Sequence, residues 1–334
     1  MTERIGAAHT EAPDRNLALE LVRATEAAAL AAGRWMGRND KNGCDRAAVD
    51  AMRQLLSSVP MDGVVVIGEG EKDEAPMLFN GEEIGTGAEP RVDIAVDPID
   101  GTRLLAEGRP GSLAVIAVAP RGTMLDPGPM LYMMKWVVGP DAVGAVDVDA
   151  PVGENLRRIA KAKGIDVSYL TVAMLDRPRH EEMMREVREV GARLQLIMDG
   201  DVATSLQATM PEMRVDVALG IGGTPEGVIT ACGVRAAGGE MHGRLWPRDD
   251  EDRRKAVEQG YDLSEPLTTE RLVSSPNTFL ACTGITTGEL VRGVSYGARG
   301  AVTDSLCMRG ESGTVRWVRA THSLAKVREY TVAT

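Results

Sequence analysis

Hydrophobic positions recur at helical spacing near the start of the chain and later give way to short apolar runs. From Asn16 to Arg38, the segment NLALELVRATEAAALAAGRWMGR is rich in helix-forming residues and predicts one long helix. After the loop NDKNGCD, the run RAAVDAMRQLLSSV places apolar residues along one helix face. A second helix is therefore predicted to begin at Asp45, an acid suited to a helix start.

Short apolar runs, several of them separated by helical stretches, fill the rest of the chain. GVVVIGEGE predicts a strand that leaves through a glycine-rich turn. Further strands are predicted at VDIAVD, SLAVIAVAP, LTVAML, RLQLIM, VDVALGIGG, NTFLACTG, AVTDSLCMR and TVRWVRAT, and helices from Glu154 to Lys163, Arg179 to Val190 and Asp249 to Gln259. The mixed order predicts an α/β fold, and a polar turn near residues 164–168 suggests two lobes, 1–168 and 169–334.

Length and composition support this layered arrangement. A chain of 334 residues exceeds what one hydrophobic core usually serves. Hydrophobic residues make up 43% of the chain but aromatic residues only 3%, so the core must be built from aliphatic side chains. Such a core is typical of buried strands covered by helices.

Charge and cysteine usage exclude several classes of partner. The formal net charge of -11, without a Lys/Arg-rich tract, argues against a nucleic acid or an anionic membrane surface. The N-terminus lacks the apolar core of a signal peptide, and no apolar run approaches the roughly 20 residues of a membrane span. Four separate cysteines without a CxxC pair are expected to be reduced thiols, so we expect a cytoplasmic protein.

The stretch DIAVDPIDGT begins as a strand and ends in acids. Pro98 ends sheet pairing, so the carboxylates of Asp97 and Asp100 can point to one side. Gly101 and Thr102 then offer backbone N–H groups of the kind that hold a phosphate oxygen. For an isolated D-P-x-D, a turn whose acids cap local amides is an equally good interpretation.

Acids at other predicted strand ends favour a shared metal site. Open α/β sheets bind ligands at the carboxyl ends of their strands. Acidic residues follow strands or begin helices at Asp45, Glu69, Glu71, Asp73, Glu74 and Glu226. Oxygen ligands without paired His or Cys indicate Mg²⁺ or Mn²⁺ rather than zinc, and nearby phosphate donors indicate two-metal hydrolysis of a phosphate ester.

These motifs resemble those of a known family. The signature D-P-x-D-G-T of the metal-dependent, lithium-sensitive phosphatases stands here as DPIDGT. Within that superfamily the chain resembles the class II fructose-1,6-bisphosphatases, in order along nearly its whole length, at GRNDKNGCDRAAVDAMR, VIGEGEKDEAPML, VDIAVDPIDGT, LYMMKWVVGP, LDRPRH, LIMDGDVA, GIGGTPEG and PRDD.

The resemblance implies a five-layer α-β-α-β-α sandwich with mixed sheets, divided into an N-terminal metal-binding lobe and a C-terminal substrate-binding lobe. It implies hydrolysis of fructose 1,6-bisphosphate to fructose 6-phosphate and phosphate, a gluconeogenic step, with Mg²⁺ or Mn²⁺ as cofactor. The implied metal ligands are Asp45, Glu69, Asp97, Asp100 and Glu226. Many members have Glu where this chain has Asp100, and the shorter reach bears on direct ligation there.

The resemblance also implies roles in catalysis and binding. Thr102 would position the attacking water, with Asp73 and Lys41 in support. The sugar bisphosphate would be held by Asp100, Gly101, Thr102, Tyr132, Arg177, Arg179, Asp199, Asp201, Gly223 and Glu226. The proline-stiffened pair of arginines suits the second phosphate. Without the resemblance, these arginines would be interpreted as surface charges, Tyr132 equally well as core, and PRDDEDRRKA as a solvated helix start.

Several alternatives stay open at the level of sequence. Sedoheptulose 1,7-bisphosphate could be a second substrate, because the two sugars share the end that is cleaved. An inositol monophosphatase-like enzyme is the nearest enzymatic rival, and a non-catalytic sugar-phosphate sensor is an alternative of another class. His180, next to the arginine pair, could equally be a surface residue at a helix start, and a role as a base is not favoured. We expect a homo-oligomer, either a dimer or a tetramer.

Overall fold

The computed structural model describes residues 17–70, 77–128 and 130–330. Its α-helices are α1 (Ala18–Ala32), α2 (Lys41–Leu56), α3 (Thr102–Glu107), α4 (Val152–Lys163), α5 (Glu181–Glu189), α6 (Val202–Gln207), α7 (Thr224–Ala237), α8 (Asp250–Glu258), α9 (Thr269–Leu272) and α10 (Leu324–Glu329). Its strands are β1 (Asp62–Ile67), β2 (Glu83–Ile84), β3 (Arg91–Asp100), β4 (Leu113–Pro120), β5 (Tyr132–Val138), β6 (Thr171–Leu175), β7 (Arg193–Ile197), β8 (Val217–Gly223), β9 (Glu240–Leu245), β10 (Leu267–Thr268), β11 (Phe279–Gly284), β12 (Ser295–Gly297), β13 (Gly300–Arg309) and β14 (Thr314–Ser323).

The strands form two mixed sheets. The first has the order β12-β13-β11-β4-β3-β1-β2, with β14 paired to β13, and the second has the order β10-β9-β5-β8-β6-β7. β1 runs parallel to β3, and β6 runs parallel to both β7 and β8. Because parallel strands end at the same edge, the segments that follow them meet there.

Alternation along the strands separates the core into layers. In the first sheet, Ile94 packs with α1 and α2, whereas its neighbour Ala95 faces the helices that lie between the sheets. In the second sheet, Met133 faces the same central helices, and Trp136 packs with α4 and α5 on the far side. The result is the predicted α-β-α-β-α sandwich.

The second helix begins earlier than predicted. Asp40 caps it, because its Oδ1 accepts a hydrogen bond of 2.9 Å from the Gly43 N–H, and α2 starts at Lys41. Gly43 lies within the first turn, where a Cβ would come within 2.5 Å of the Trp35 ring, so the packing of Trp35 leaves no room for a larger residue. Asp45 is therefore in the second turn and not at the helix start, so that prediction was wrong. The first helix was predicted too long, since α1 ends at Ala32.

The long strands at the predicted runs are confirmed, but β5, β9 and α7 were missed. α7 lies between the two sheets and is buried on nearly all sides. A helix buried all round has no polar face, so its sequence shows no amphipathic period. β5 reads YMMKWVV, an apolar run whose residues contact a hydrophobic core on both faces of the sheet.

The sheets do not divide at the predicted lobe boundary. The second sheet takes β5 from before residue 168, and the first sheet takes β11 to β14 from after it. The division into two lobes stays a prediction. Within the described part of the chain, none of the helices combines the length and apolarity that crossing a membrane requires.

Candidate active site

The ends of parallel strands bring most of the predicted site residues together. Arg177 and Arg179 follow β6, Asp199 and Asp201 follow β7, and Gly223 ends β8 just before Glu226 in the first turn of α7. These three strands are parallel, so the segments after them share one edge of the second sheet. Tyr132 starts the antiparallel strand β5 opposite Gly223 and so joins the same edge.

A cleft of about 560 Å³ opens at this edge and faces the end of β3. The predicted residues that line it are Lys41, Asp97, Asp100, Gly101, Thr102, Tyr132, Arg177, Arg179, Asp199, Asp201, Gly223 and Glu226. Arg103, Gly200 and Arg248 also line it and were not predicted. The predicted residue Asp73 lies outside the described residues.

Thr102 connects the cleft to α2. Its hydroxyl lies 3.1 Å from Oδ1 of Asp45 and 3.2 Å from the carbonyl oxygen of Ile99, and can donate its single proton to either. Gly101, with a φ of +82°, turns the chain from β3 into α3 and so places Thr102 at the helix start. Two lone pairs on the Thr102 oxygen stay able to accept a hydrogen bond.

The carboxyl groups around the cleft are close enough to disturb one another's ionisation. Although Glu69 is exposed overall, crowding of its carboxyl group by protein atoms raises its pKa to about 7, and the negative charges of Asp45 and Glu226 act in the same direction. Burial raises the pKa of Asp97, and the charges of Asp100, Glu226 and Glu69 raise it further. Residues from α2, β3, α7 and the segment after β1 thus form one acidic cluster.

Two carboxylates in this cluster have a buried oxygen that lacks a hydrogen-bond partner among the described residues. They are Asp100 Oδ2 and Glu226 Oε2. Burial raises the pKa of both groups, and the charge of Asp201 adds to the effect on each. Unpartnered carboxylate oxygens within an all-oxygen donor set fit a hard divalent cation, whose charge would offset their repulsion.

The described ranges do not hold three acidic, histidine or cysteine side chains already arranged as a complete metal-binding group. The orphaned oxygens and the mutual pKa shifts therefore indicate the kind of ligand, whereas the identity of each metal ligand stays a prediction.

Lys135 is a buried cation that the sequence reasoning missed. It is 4% exposed, and its Nζ lies 2.7 Å from Asp201 Oδ2 and 3.3 Å from the Gly223 carbonyl oxygen. Its positive charge lowers the pKa values of Asp100 and Glu226, against the effect of burial. A lysine in an apolar strand pattern was the available signal, since a buried charge requires a partner.

Several arginines line the cleft, and hydrogen bonds to the protein orient them. The Arg177 guanidinium donates to the Met198 carbonyl at 2.6 Å and to Asp199 at 3.1 Å. Arg179 donates through Nε and Nη2 to the Ile221 carbonyl, at 3.1 and 2.8 Å. The segment PRDD was interpreted as solvated, yet its Arg248 lines the cleft.

His180 is buried and not at the surface as predicted. Its Nδ1 lies 2.7 Å from the Leu175 carbonyl oxygen, and its Nε2 accepts a hydrogen bond of 2.8 Å from the Ile221 N–H. Burial lowers its pKa, which favours the neutral ring. The imidazole thus connects the end of β6, at Leu175, to β8, at Ile221.

A layered α/β fold whose strand ends gather carboxylates and arginines around one cleft defines a metal-dependent phosphatase. A family model described as "Bacterial fructose-1,6-bisphosphatase, glpX-encoded" matches residues 15–322, and the chain belongs to this family. The chain is 46% identical over 323 residues to "Fructose-1,6-bisphosphatase 1 class 2" of Escherichia coli (strain K12), covering 93% of this chain and 96% of the relative. The same identity and coverage relate it to "Fructose-1,6-bisphosphatase class 2" of Shigella flexneri.

Proposed function

We propose that this protein hydrolyses the 1-phosphate of fructose 1,6-bisphosphate, yielding fructose 6-phosphate and phosphate in gluconeogenesis. Membership of the family supports the reaction. The observation that carries the proposal is the acidic cluster, in which carboxylates from separate elements raise one another's pKa values beside a cleft with arginines. Such a cluster suits metal-assisted transfer of a phosphoryl group to water.

The cofactor in this proposal is Mg²⁺ or Mn²⁺, held by Asp45, Glu69, Asp97, Asp100 and Glu226. When bound, a divalent cation would supply Lewis acidity and neutralise charge on the phosphoryl group. The unpartnered oxygens of Asp100 and Glu226 support their part in this set. Asp100 is 4% exposed and lies close to Gly200, so its reach is limited by its surroundings as well as by its length.

Thr102 would orient the attacking water. Its hydroxyl proton is directed toward Asp45 or the Ile99 carbonyl, so its oxygen accepts a hydrogen bond from water and fixes the direction of attack. Burial raises the pKa of Asp45, and the positive charge of Lys41, which lies on the cleft wall, partly offsets that effect. A supporting role for Asp73 also belongs to the proposal.

The other cleft residues would hold the sugar bisphosphate. Asp199 and Asp201 can accept hydrogen bonds from sugar hydroxyls, and the ion pair with Lys135 holds Asp201 in place. Gly101 lies at the start of α3 and Gly223 at the start of α7, so their backbone N–H groups would be available beside the acids proposed to hold the metal. Arg177, Arg179 and Tyr132 supply positive charge and an aromatic face for the second phosphate and the ring.

A phosphate-release assay tests this function. The enzyme is treated with EDTA, then given Mg²⁺ or Mn²⁺, and offered fructose 1,6-bisphosphate, sedoheptulose 1,7-bisphosphate or inositol 1-phosphate. We expect metal-dependent release with the highest kcat/KM on fructose 1,6-bisphosphate. Preference for inositol 1-phosphate would contradict the proposal, as would tight binding of fructose 1,6-bisphosphate without turnover, which is the behaviour of a sensor.

Two further expectations accompany the proposed function. A cytoplasmic location fits an enzyme of sugar metabolism, and a homo-oligomer, a dimer or a tetramer, is predicted. Sedimentation velocity at several protein concentrations would measure the second.

A further inference from the structure

The ends of β6 and β8 lead into segments that line the cleft, but the ladder between these two strands is short. It consists of two residue pairs, the second of which is Ala173–Ala218. By contrast, β6 stays paired with β7 as far as Leu175, and β8 stays paired with β5 as far as Gly223. Within these described strands, the pairing between β6 and β8 therefore ends before the strands do.

The ring of His180 joins the two strand ends. Its Nδ1 lies 2.7 Å from the Leu175 carbonyl oxygen, and its Nε2 lies 2.8 Å from the Ile221 nitrogen. A carbonyl accepts and a backbone N–H donates, so both contacts are hydrogen bonds only when the proton is on Nδ1. The Ile221 carbonyl oxygen, 3.1 Å from Nε2, already accepts from two nitrogens of Arg179. The geometry thus selects the neutral tautomer that is protonated at Nδ1.

Gly220 leaves room for this ring. A Cβ at Gly220 would lie 3.1 Å from Cε1 and 3.2 Å from Nε2 of His180, which is tighter than an ordinary contact. The φ of Gly220, +153°, is also one that residues with a side chain rarely adopt. The backbone of β8 is therefore fitted to the imidazole.

Ile221 links the ring to Arg179. Its N–H donates to His180, and its carbonyl accepts from Arg179 Nε and Nη2 at 3.1 and 2.8 Å. The His180 N–H also donates to the Arg177 carbonyl at 2.9 Å, which closes the turn that carries both arginines. This turn is therefore attached to β8 at two places, through the Arg179 guanidinium and through the His180 ring.

We propose that His180 is a positioning residue, which as a neutral ring sets the distance between the turn that carries Arg177 and Arg179 and the end of β8. The inference rests on the proposed function and adds a residue that acts on the substrate through Arg179. His180 itself is buried and outside the set of residues that lines the cleft. Because β5 holds β8 as far as Gly223, loss of the ring should displace the arginines and leave Glu226 in place.

The experiment compares the variants His180→Leu, His180→Asn, His180→Gln and His242→Leu. Leucine removes both hydrogen bonds of the ring. Asparagine places an N–H donor near the position of Nδ1, and glutamine places an oxygen acceptor near that of Nε2, so each keeps one bond. His242 belongs to β9 of the same sheet, pairs with Glu240 and is outside the cleft lining, so its leucine variant is the matched control.

For His180→Leu, the KM for fructose 1,6-bisphosphate is expected to rise at least about tenfold with a smaller change in kcat, because displaced arginines weaken binding of the substrate and the transition state alike. The concentration of Mg²⁺ or Mn²⁺ for half-maximal activity should stay at the wild-type value. His180→Asn and His180→Gln should each recover part of the loss in KM, and His242→Leu should leave KM unchanged.

A purely structural role would lower Tm and the yield of active enzyme, and so kcat, without a change in KM, and that result would overturn the inference. Wild-type KM values in both the asparagine and the glutamine variants would overturn it even if the leucine variant does not fold. In either case the proposed function would stand, whereas a wild-type enzyme inactive on fructose 1,6-bisphosphate would overturn both.

Nitrogen-15 NMR of the imidazole groups tests the tautomer without an activity measurement. The His180 signals are assigned by their absence from the spectrum of His180→Asn. We expect a protonated Nδ1 and an unprotonated Nε2. A proton on Nε2 would contradict the hydrogen bond from the Ile221 N–H and so overturn the proposed attachment.

Discussion

At the scale of single residues, the Thr102 hydroxyl can be tested separately from the rest of the cleft. It contacts Asp45 and the Ile99 carbonyl, and these contacts direct its proton away from an attacking water. For Thr102→Ala we expect kcat to fall at least about a hundredfold with KM for fructose 1,6-bisphosphate little changed. Thr102→Ser keeps the hydroxyl and should restore most of the rate. An alanine variant with wild-type kcat would remove Thr102 from the proposed mechanism.

Glu226 combines an unpartnered buried oxygen with a pKa raised by burial. Glu226→Gln keeps the shape but removes the charge that would hold a divalent cation. The concentration of Mg²⁺ or Mn²⁺ for half-maximal activity is expected to rise at least about tenfold. Glu258→Gln, at an exposed position of α8, serves as the control and should leave the titration unchanged. The same titration curve for both variants would exclude Glu226 from the ligand set.

The importance of a residue could be predicted where its motif is local. DPIDGT and DGD each occupy a single short segment, so their acids could be named from the sequence. Lys135 and Arg248 could not, because each acts through partners that only folding brings close. Asp201 is 66 positions away from Lys135, and Tyr132 is 116 positions away from Arg248.

At the scale of elements, the turn between β7 and α6 places Gly200 against Asp100, a member of the acidic cluster. Gly200 has a φ of +69°, and a Cβ there would lie 3.2 Å from both carboxylate oxygens of Asp100. Gly191 also has a positive φ, +88°, but a Cβ there would meet nothing within 4 Å. The two glycines therefore differ in what an added Cβ would contact: the Asp100 carboxylate at Gly200 and nothing nearby at Gly191.

We expect Gly200→Ala and Gly191→Ala to lower the free energy of unfolding by a similar amount, about 1 kcal/mol, because both force alanine into a left-handed conformation. Only Gly200→Ala should displace Asp100, so kcat/KM should fall at least about tenfold for that variant alone. Chemical denaturation and phosphate-release kinetics measure the two quantities. Equal kinetic effects would show that Gly200 does not constrain Asp100.

At the scale of the whole molecule, the acidic cluster makes stability depend on pH. The folded protein holds the pKa of Glu69 at about 7, above its ordinary 4.5, so the folded state binds more protons than the unfolded state between these values. The contribution of Glu69 to stability is therefore present below pH 4.5 and is lost as the pH rises through about 7. Asp97 and Asp100 are shifted in the same direction.

We predict that Glu69→Gln raises Tm in EDTA relative to the wild type more at pH 8 than at pH 4.5. Because the cation offsets the same repulsion, Mg²⁺ or Mn²⁺ should raise the wild-type Tm more at pH 8 than at pH 4.5. Differential scanning calorimetry measures both differences. Tm differences that do not change with pH would contradict the repulsion between these carboxylates.

The fold class could be predicted because local patterns carry it. Short apolar runs and helical spacing identified most of the long strands and the surface helices, and the order of motifs indicated the family. α7 was missed because burial between two sheets removes the polar face that a helical pattern requires. The start of α2 was misplaced because Gly43 weakens the helical signal in the sequence, although the close packing of Trp35 requires a residue without a Cβ there.

The sequence by itself determined the layered α/β class, the family and the acids of the local motifs, because each depends on residues close together in the chain. Only the tertiary structure decided that these acids share one cleft and that Lys135 forms an ion pair with Asp201 there. It also decided that Arg248 lies over the Tyr132 ring, as Arg179 does. The physical reason is that charge interactions depend on distance in space. The order of the strands within each sheet, which local periodicity does not encode, sets those distances.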